Sequence, residues 1–248
     1  MKAVGKTNTG KMRMNNEDAF YVADHVGMFD TLMVVADGMG GHSFGEVASS
    51  LAVSTVVSYI SREPVNMPFY IIEQAIANAN LAVQKKAMEL NSYGMGTTLV
   101  LAGVVGKHIY IANIGDSRLY TVEGRLNTIR QITKDHSYVE EMVELGLIER
   151  HSEAYESQKN VITRAIGIYS EVEADYFELD LMRDSYLLLC SDGLSNMVPD
   201  QVMKALILDE NFPLEMRLDS LIEAANNRGG KDNITVILYA GEGTANVE

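Results

Sequence analysis

Four short β-prone segments follow one another between residues 96 and 133, and the links between them constrain the fold more than any other feature of the sequence. These links are centred on Gly-Lys, Gly-Asp-Ser and Glu-Gly-Arg. A parallel connection requires a crossover of about a dozen residues or more, whereas a hairpin needs about two. We therefore predict an antiparallel meander joined by hairpins and formed by residues 98–102, 108–112, 118–122 and 126–132.

Helices and strands outside this region are also predicted in runs rather than in strict alternation. Residues 69–90 carry apolar side chains at three- and four-residue steps, which predicts a helix with one apolar face. A Ser-x-x-Glu capping box at 137–140 predicts the start of a helix that ends near Gly146. Such runs favour an α+β fold with antiparallel sheets over a doubly wound parallel fold. Further helices are predicted at 45–60, 199–209 and 213–227, and strands at 32–36, 186–191 and 234–239.

Charge and cysteine content exclude several functions. The chain has 34 acidic and 20 basic residues, a formal net charge of −14, which argues against binding to nucleic acid or to an anionic membrane surface. Cys190 is the only cysteine of the sequence, which excludes an internal disulfide. No apolar run approaches the roughly 20 residues of a membrane span, and the first residues do not resemble a signal peptide. We expect a soluble cytoplasmic protein that forms one domain over residues 1–248.

Five aspartates occupy similar positions at the ends of predicted strands. Asp37 and Asp192 each follow an apolar strand and precede glycine, and Asp232 directly precedes the last strand. Asp116 lies in the predicted hairpin turn Gly-Asp-Ser, and Asp18 ends the sequence Asn-Asn-Glu-Asp. Each aspartate alone is ordinary turn chemistry, because Asp and Gly are both common in turns.

Taken together, the five aspartates predict a site that needs compensating charge. Two carboxylates about 4 Å apart repel by about 4 kcal/mol at an effective dielectric constant of about 20. A cluster of them therefore requires protons or cations. Ligands that are all oxygen, without His or Cys, favour Mg²⁺ or Mn²⁺ over zinc. A metal-free cluster with strongly raised pKa values is the alternative.

The motifs that contain these aspartates resemble, in their order, those of the metal-dependent type 2C (PPM) protein serine/threonine phosphatases, in particular the short bacterial ones. The resemblance covers residues 5–239. The motifs are Arg-Met-Asn-Asn-Glu-Asp at 13–18, Val-Ala-Asp-Gly-Met-Gly-Gly-His at 35–42, Gly-Thr-Thr at 96–98, Gly-Asp-Ser-Arg at 115–118, Cys-Ser-Asp-Gly-Leu at 190–194 and Gly-Lys-Asp-Asn-Ile-Thr at 230–235.

The resemblance implies a four-layer αββα sandwich, in which two antiparallel β-sheets are flanked by helices, and a site with two Mn²⁺ or Mg²⁺ ions. In-line attack on phosphoserine or phosphothreonine would come from a water or hydroxide that bridges the two ions. By the matching motifs, Asp37 would bridge both ions and the Gly38 carbonyl would bind one of them. The remaining implied metal residues are Asp192 and Asp232 at the other ion, Asp18 through bound water, and Asp116 with Asp192 at a third, looser ion.

The resemblance also suggests residues that handle the substrate. Arg13 matches the arginine that binds the substrate phosphate, and Arg164 lies in a segment, about 136–166, that forms a mobile flap in this family. Many eukaryotic members have His, a proposed general acid, where this sequence has Met39. His42, His136 or metal-bound water could then protonate the leaving group. Glu17 is a weaker candidate beside the metal site.

The resemblance further implies phosphorylated proteins as substrates, an opposing serine/threonine kinase and a monomeric enzyme with a short C-terminal tail, 241–248. Two other functions are consistent with parts of the sequence. Residues 41–45, Gly-His-Ser-Phe-Gly, match the nucleophile motif of serine hydrolases, although Ser43 stands six residues after the predicted strand end. A binding module without catalytic activity is the second alternative, since a fold and its site are separable.

Overall fold

The computed structural model describes residues 3–40, 44–64, 67–150 and 152–241. Its strands form two antiparallel sheets. In chain order they are β1 (Ala3–Asn8), β2 (Asp18–Val26), β3 (Phe29–Met39), β4 (Gly96–Thr97), β5 (Leu99–Val105), β6 (His108–Ile114), β7 (Arg118–Glu123), β8 (Thr128–Gln131), β9 (Asp175–Asp180), β10 (Ser185–Cys190) and β11 (Ile234–Ala240).

The two sheets have different strand orders. One is five-stranded, in the order β1-β11-β10-β7-β8. The other has the order β2-β3-β5-β6-β9, with the two-residue strand β4 paired to the end of β3. Every pairing between these strands is antiparallel. The α+β class predicted from the sequence is therefore confirmed.

Helices form the two outer layers of the fold, and two short ones lie between β8 and β9. They are α1 (Phe44–Arg62), α2 (Pro68–Glu89), α3 (Tyr138–Glu144), α4 (Glu153–Gln158), α5 (Asp192–Ser195), α6 (Asp200–Ile207) and α7 (Leu214–Asn227). The apolar face of α2 predicted from the sequence is buried, as Ile72, Ile76 and Val83 show. Ser137 caps α3 as predicted, because its hydroxyl accepts a hydrogen bond from the backbone of Glu140.

Three apolar cores hold the layers together. One lies between α1, α2 and the sheet that contains β3, a second lies between α5–α7 and the sheet that contains β10, and the third lies between the two sheets. In the third core, Met33 and Val100 of one sheet and Leu189 and Ile237 of the other are fully buried. This arrangement is the four-layer αββα sandwich that the family resemblance implied.

The predicted meander is wrong in one respect, because its four strands belong to two sheets. β5 and β6 form one hairpin and β7 and β8 form another, but β6 pairs with β9 and β7 pairs with β10. Residues 115–117 therefore form a crossover from one sheet to the other rather than a hairpin turn. Gly115 turns the chain there with φ +98°. Splitting the strands buries apolar side chains on both faces of each sheet, which one exposed meander would not achieve.

Of the helices in the described ranges, α1 alone is long and apolar enough to cross a membrane, with a mean hydropathy of 1.2. In the fold, however, α1 packs beside α2 on the sheet that contains β3. Its residues Ala48, Ala52 and Val56 are fully buried in the first core. The apolar composition of α1 is therefore explained by its place in the sandwich.

Candidate metal centre

The five predicted aspartates meet at one end of the two sheets. Asp18 begins β2 and is paired directly with Asp37 near the end of β3. Asp192 begins α5 directly after β10, and Asp232 lies two residues before β11. Asp116 lies in the crossover between the sheets. Both sheets therefore contribute to the cluster, which borders a cavity of about 290 Å³.

The strand β3 continues through this site instead of ending at Ala36, as the sequence had predicted. Gly38 and Met39 at its end pair with Thr97 and Gly96 of β4. A side chain at position 38 would collide with the backbone carbonyls of Gly45 and Glu17. The glycine after Asp37 is thus required by close backbone packing rather than by a turn, and the same holds for Gly193 against the carbonyl of Asn233.

The hydroxyl groups of Thr97 and Thr98, at the junction of β4 and β5, hold Asp37 in place. The Asp37 backbone N–H donates to Thr98 Oγ1 at 2.9 Å, and the Thr98 N–H donates back to the Asp37 carbonyl at 2.9 Å. Thr97 donates to the same carbonyl through its hydroxyl. Thr98 Oγ1 lies 2.8 Å from Ser117 Oγ, which joins β3 to the crossover beside Asp116.

Ser191 and Asn233 fix the other part of the cluster. The Ser191 hydroxyl donates to Asp18 Oδ2 at 2.8 Å and accepts from the Thr235 N–H at 3.0 Å, which links the two sheets. The Asn233 side chain accepts from the Glu17 N–H at 2.8 Å. Its amide also donates to the carbonyls of Thr9 and Asn15, so that the loop before β2 is held against the start of β11.

The electrostatics of the cluster are those of carboxylates without enough positive charge. Burial, together with the neighbouring carboxylates, raises the pKa of Asp18 to about 7 and that of Asp192 to about 6. Burial and the other aspartates raise the pKa of Asp37 and of Asp116 well above the usual range. A cation at the centre would favour the charged forms and reverse these shifts.

Two oxygen atoms of the cluster are suited to a cation. Asp18 Oδ1 and Asp192 Oδ1 are buried and have no hydrogen-bond partner, although buried polar atoms are nearly always paired. Within the described residues, no three acidic, His or Cys side chains are arranged to surround one ion unaided. Each ion would therefore complete its coordination with backbone carbonyl and water oxygens, as Mg²⁺ commonly does. The residues present fit hard divalent cations such as Mg²⁺ and Mn²⁺.

Arg13 supplies positive charge at the mouth of the cavity. Its Nη2 atom lies 2.7 Å from Asp232 Oδ2, and half of its side chain is exposed. The hydrogen bond to Asp232 raises the pKa of Arg13. Glu17 also lines the cavity, and burial raises the pKa of its carboxyl group. An exposed guanidinium held beside buried carboxylates is well placed to bind an incoming phosphate.

Arg164 and His136 do not line the aspartate cavity. Arg164 Nη1 lies 2.9 Å from Asp175 Oδ1, and Arg164 lines a different cavity, beside α2. His136 is 5% exposed, accepts from the Gly115 N–H at Nδ1 and lies 3.1 Å from Asp175 Oδ2 through Nε2. Burial lowers the pKa of His136. The structure therefore links His136 to the crossover and β9, and substrate recognition by Arg164 stays a prediction.

Two sequence-based candidates lie outside the described residues. His42, a possible acid for the leaving group, and Ser43, the nucleophile of the serine-hydrolase alternative, both fall in residues 41–43. Met39 lines the cavity at the end of β3. The all-antiparallel sheet containing β3 also contradicts the parallel sheet that the hydrolase motif requires.

Sequence reasoning missed the residues that support the aspartates. Thr98, Ser117, Ser191 and Asn233 all lie within the motifs quoted above, but the motifs alone indicate no role for them. Ser191 and Ser117 gave no separate signal, because Ser near a strand end is common whether or not it holds a carboxylate. Their roles follow from contacts between residues far apart in the chain, such as Ser191 with Asp18.

Comparison with known proteins agrees with this geometry. The family model described as protein phosphatase 2C matches residues 8–236. The chain is 38% identical over 248 residues to the serine/threonine phosphatase stp of Listeria welshimeri, a match covering 96% of this chain and 95% of the relative. It is 34% identical over 238 residues to the protein phosphatase PhpP of Streptococcus pneumoniae, covering 94% of this chain and 95% of the relative.

Solved structures show the same architecture. The serine/threonine phosphatase Stp1 from Staphylococcus aureus matches with a TM-score of 0.89 and 38% identity, covering 98% of this chain and 95% of that one. The catalytic domain of the phosphatase PstP, in complex with two manganese ions, matches with a TM-score of 0.82 and 33% identity, covering 95% of this chain and 96% of that one. The sequence and structural matches thus confirm the resemblance and show that the chain belongs to the protein phosphatase 2C family.

Proposed function

We propose that this protein hydrolyses phosphoserine and phosphothreonine in other proteins with the help of two divalent cations held by the aspartate cluster. The observation that carries the proposal is the convergence of buried carboxylates from both sheets with unpartnered oxygens on Asp18 and Asp192. Its relatives are named serine/threonine phosphatases, and one related structure contains two manganese ions. Mn²⁺ is therefore the first ion to test, with Mg²⁺ as the alternative.

The aspartates would divide the ions between them according to their places in the fold. Asp37, the residue most enclosed by the other carboxylates, would contact both ions, and the Gly38 carbonyl at the cavity wall would contact one. Asp192 and Asp232 would hold the second ion from the other sheet. Asp116, whose pKa is raised in part by the nearby Asp192, would hold a third ion with it. When bound, such ions withdraw charge from the phosphoryl group and acidify water, which is the Lewis-acid chemistry the reaction needs.

The remaining steps depend on side chains of the chain itself. Arg13 would bind two phosphoryl oxygens with its planar guanidinium, and Asp232 would orient it through the 2.7 Å hydrogen bond. Asn160 and Ile162 also line the cavity and would limit the approach of bulk water to the phosphorylated side chain. In-line displacement requires positioning and charge stabilisation more than covalent chemistry by the protein.

The cellular setting is proposed on the same basis. We infer that the enzyme opposes a serine/threonine kinase in the cytoplasm and acts as a monomer. The family membership supports the kinase, since phosphoprotein hydrolysis has a purpose only where such phosphorylation occurs. The net charge of −14 supports a protein that acts on soluble partners rather than on nucleic acid or anionic lipid.

The proposal is tested by hydrolysis of p-nitrophenyl phosphate and of a phosphoserine peptide, with Mn²⁺, with Mg²⁺ and with a chelator. We expect turnover of both substrates that depends on the ion. Absence of turnover with every ion would favour the catalytically silent binding module. Inactivation by a fluorophosphonate together with indifference to the chelator would instead favour a serine hydrolase.

A further inference from the structure

A second cavity, of about 570 Å³, lies beside β4 and next to the metal centre. The last turn of α2, the loop at 91–95 and residues 167–170 form its walls. We name it the β4 pocket and define it by Met88, Tyr93, Gly94, Met95, Gly167 and Ile168. Nothing in the proposed function described above uses this cavity.

The β4 pocket is uncharged on a strongly charged protein. None of its lining residues is Asp, Glu, Lys or Arg, although 22% of the residues of the chain are charged, and four of the eleven are polar but uncharged. Tyr93 is 99% exposed and Met88 is 77% exposed, so large apolar side chains face solvent at its rim. Clustered apolar exposure next to a concave surface is typical of binding sites. Such a lining would accept an uncharged apolar side chain and would offer no partner to a charged one.

The β4 pocket is adjacent to the metal centre across a single strand pair. Met39 lines the aspartate cavity and is paired with Gly96 of β4, and Met95, the residue before Gly96, lines the β4 pocket. The Ile168 side chain lies directly over Gly96. The two cavities therefore share the β3–β4 strand pair as a common wall, and an extended peptide, which advances about 3.3 Å per residue, passes from one to the other within a few residues.

We propose that the β4 pocket binds an apolar side chain of the phosphoprotein substrate, located two to four residues from the phosphorylated residue. The proposal rests on the proposed function, because it requires a phosphorylated residue at the metal centre. Binding in the β4 pocket would give the enzyme a preference for the sequence around the phosphorylated residue. The phosphate contacts cannot supply this preference, since Arg13 and the aspartates act only on the phosphoryl group. The preference would be for large apolar residues over acidic ones.

A substrate segment fits the β4 pocket better than a second copy of this chain does. Two copies would each carry a net charge of −14, and like charges oppose their association. The pocket is also concave and adjoins the cavity that would hold the phosphorylated residue, so that one extended segment reaches both. A copy of the chain bound there remains a testable outcome.

Phosphoserine peptides of one length test the proposal directly with the Mn²⁺-loaded enzyme. A single Leu is moved through a Gly/Ser background over about four positions on each side of the phosphoserine. We expect one position two to four residues away to lower KM about tenfold relative to Ser, which is the effect of partly burying one Leu side chain. Glu at that position should give no such gain. Equal KM values for all the Leu positions would overturn the proposal.

The variant Met88→Lys places a charge at the rim of the β4 pocket without disturbing the core. Lys is favourable near the C-terminus of α2, because it interacts well with the helix dipole. We expect Met88→Lys to abolish the advantage of the Leu peptide while p-nitrophenyl phosphate, which is too small to reach the pocket, is hydrolysed as before. Met182→Lys is the matched control, since Met182 is 63% exposed, lies between β9 and β10 and is outside the pocket.

The outcomes separate this proposal from the proposed function. Absence of p-nitrophenyl phosphate hydrolysis by the wild-type protein would contradict the proposed function of the metal centre. Normal hydrolysis with a Leu advantage that survives Met88→Lys would contradict only the β4 pocket. A Leu advantage that is absent, together with a dimer in sedimentation that Met88→Lys dissociates, would assign the pocket to a second copy of the chain.

Discussion

Asp18 and Asp135 are equally buried, each 8% exposed, yet their surroundings differ completely. Asp135 accepts hydrogen bonds from Arg118 Nε and Nη2, the latter at 2.6 Å, and from Gln131. Asp18 accepts one from Ser191, has an unpartnered second oxygen and lies among other aspartates. At the same burial, the paired carboxylate stabilises the fold, whereas the unpaired one stores unfavourable energy that a cation would release.

The substitution Asp37→Asn, within the aspartate cluster that contains Asp18, should have the largest effect. It removes a charge that the other carboxylates oppose, so metal-free protein should gain about 1–3 kcal/mol in free energy of unfolding. Metal-dependent turnover should fall about a thousandfold or more, because an amide is a poor substitute for a shared anionic ligand. Denaturant unfolding with a chelator and p-nitrophenyl phosphate kinetics with Mn²⁺ measure the two effects.

The control for Asp37→Asn is Asp219→Asn, which alters an exposed aspartate paired with Lys6. That variant should retain turnover and change stability little, since exposed ion pairs contribute about 0–1 kcal/mol. Normal activity of Asp37→Asn would contradict the metal assignment.

Removing the arginine that pairs with Asp135 should lower stability instead of raising it. Arg118→Met leaves Asp135 buried without its ion pair, and we expect the free energy of unfolding to fall by about 3–5 kcal/mol. Arg125→Met is the matched control, because Arg125 pairs with Asp184 at a side-chain exposure of 73% and should cost at most about 1 kcal/mol. Equal losses for the two variants, measured by urea unfolding, would show that the burial of Asp135 carries little energetic weight.

The pH dependence of metal-free stability is the third test. The pKa of Asp18 is 3.8 in the unfolded reference and about 7 in the folded protein, so folding takes up a proton between these values. Stability from this group is therefore complete below about pH 4 and is lost as the pH rises through about 7. With a chelator, the protein should be less stable at about pH 8 than at about pH 5 by on the order of 3 kcal/mol. Saturating Mn²⁺ should remove most of that difference, and an unchanged slope would contradict cation binding at the cluster.

Arg13→Ala should have the smallest effect, because Arg13 is half exposed and contacts the cluster only through Asp232. We expect KM to rise about tenfold with kcat nearly unchanged, as for a residue that positions the phosphate. Arg228→Ala, which removes an exposed arginine bonded to a helix carbonyl, is the control. A loss confined to kcat would assign Arg13 to a later step than phosphate binding.

The aspartates of the site were predictable from sequence because each lies at a strand end in a distinctive local pattern. Asp37-Gly38 and Asp192-Gly193 are each recognisable as an Asp-Gly dipeptide after an apolar strand, and both glycines are required by close backbone packing. The division of strands between two sheets was not predictable. A link of three residues such as 115–117 fits a hairpin or a crossover equally well, and the choice depends on distant partners, β9 for β6 and β10 for β7.

Other misses have the same physical origin. The strand β9, with the alternating exposure of Asp175–Asp180, lies at the edge of its sheet and follows a long irregular segment, so it was not predicted. The support of Asp18 by Ser191 joins residues 173 positions apart. Contacts of that kind depend on the assembled sandwich and leave no local pattern in the chain.

The crossover at 115–117 has a consequence for the cohesion of the molecule. Asp18 and Asp37 belong to one sheet, Asp192 and Asp232 flank strands of the other, and Asp116 lies on the chain that passes between them. An ion bound by both groups would act as a removable crosslink between the two halves of the sandwich. Backbone amides of β3 and of β10 would then exchange with deuterated solvent in step, both slowed by Mn²⁺ and both released together by a chelator.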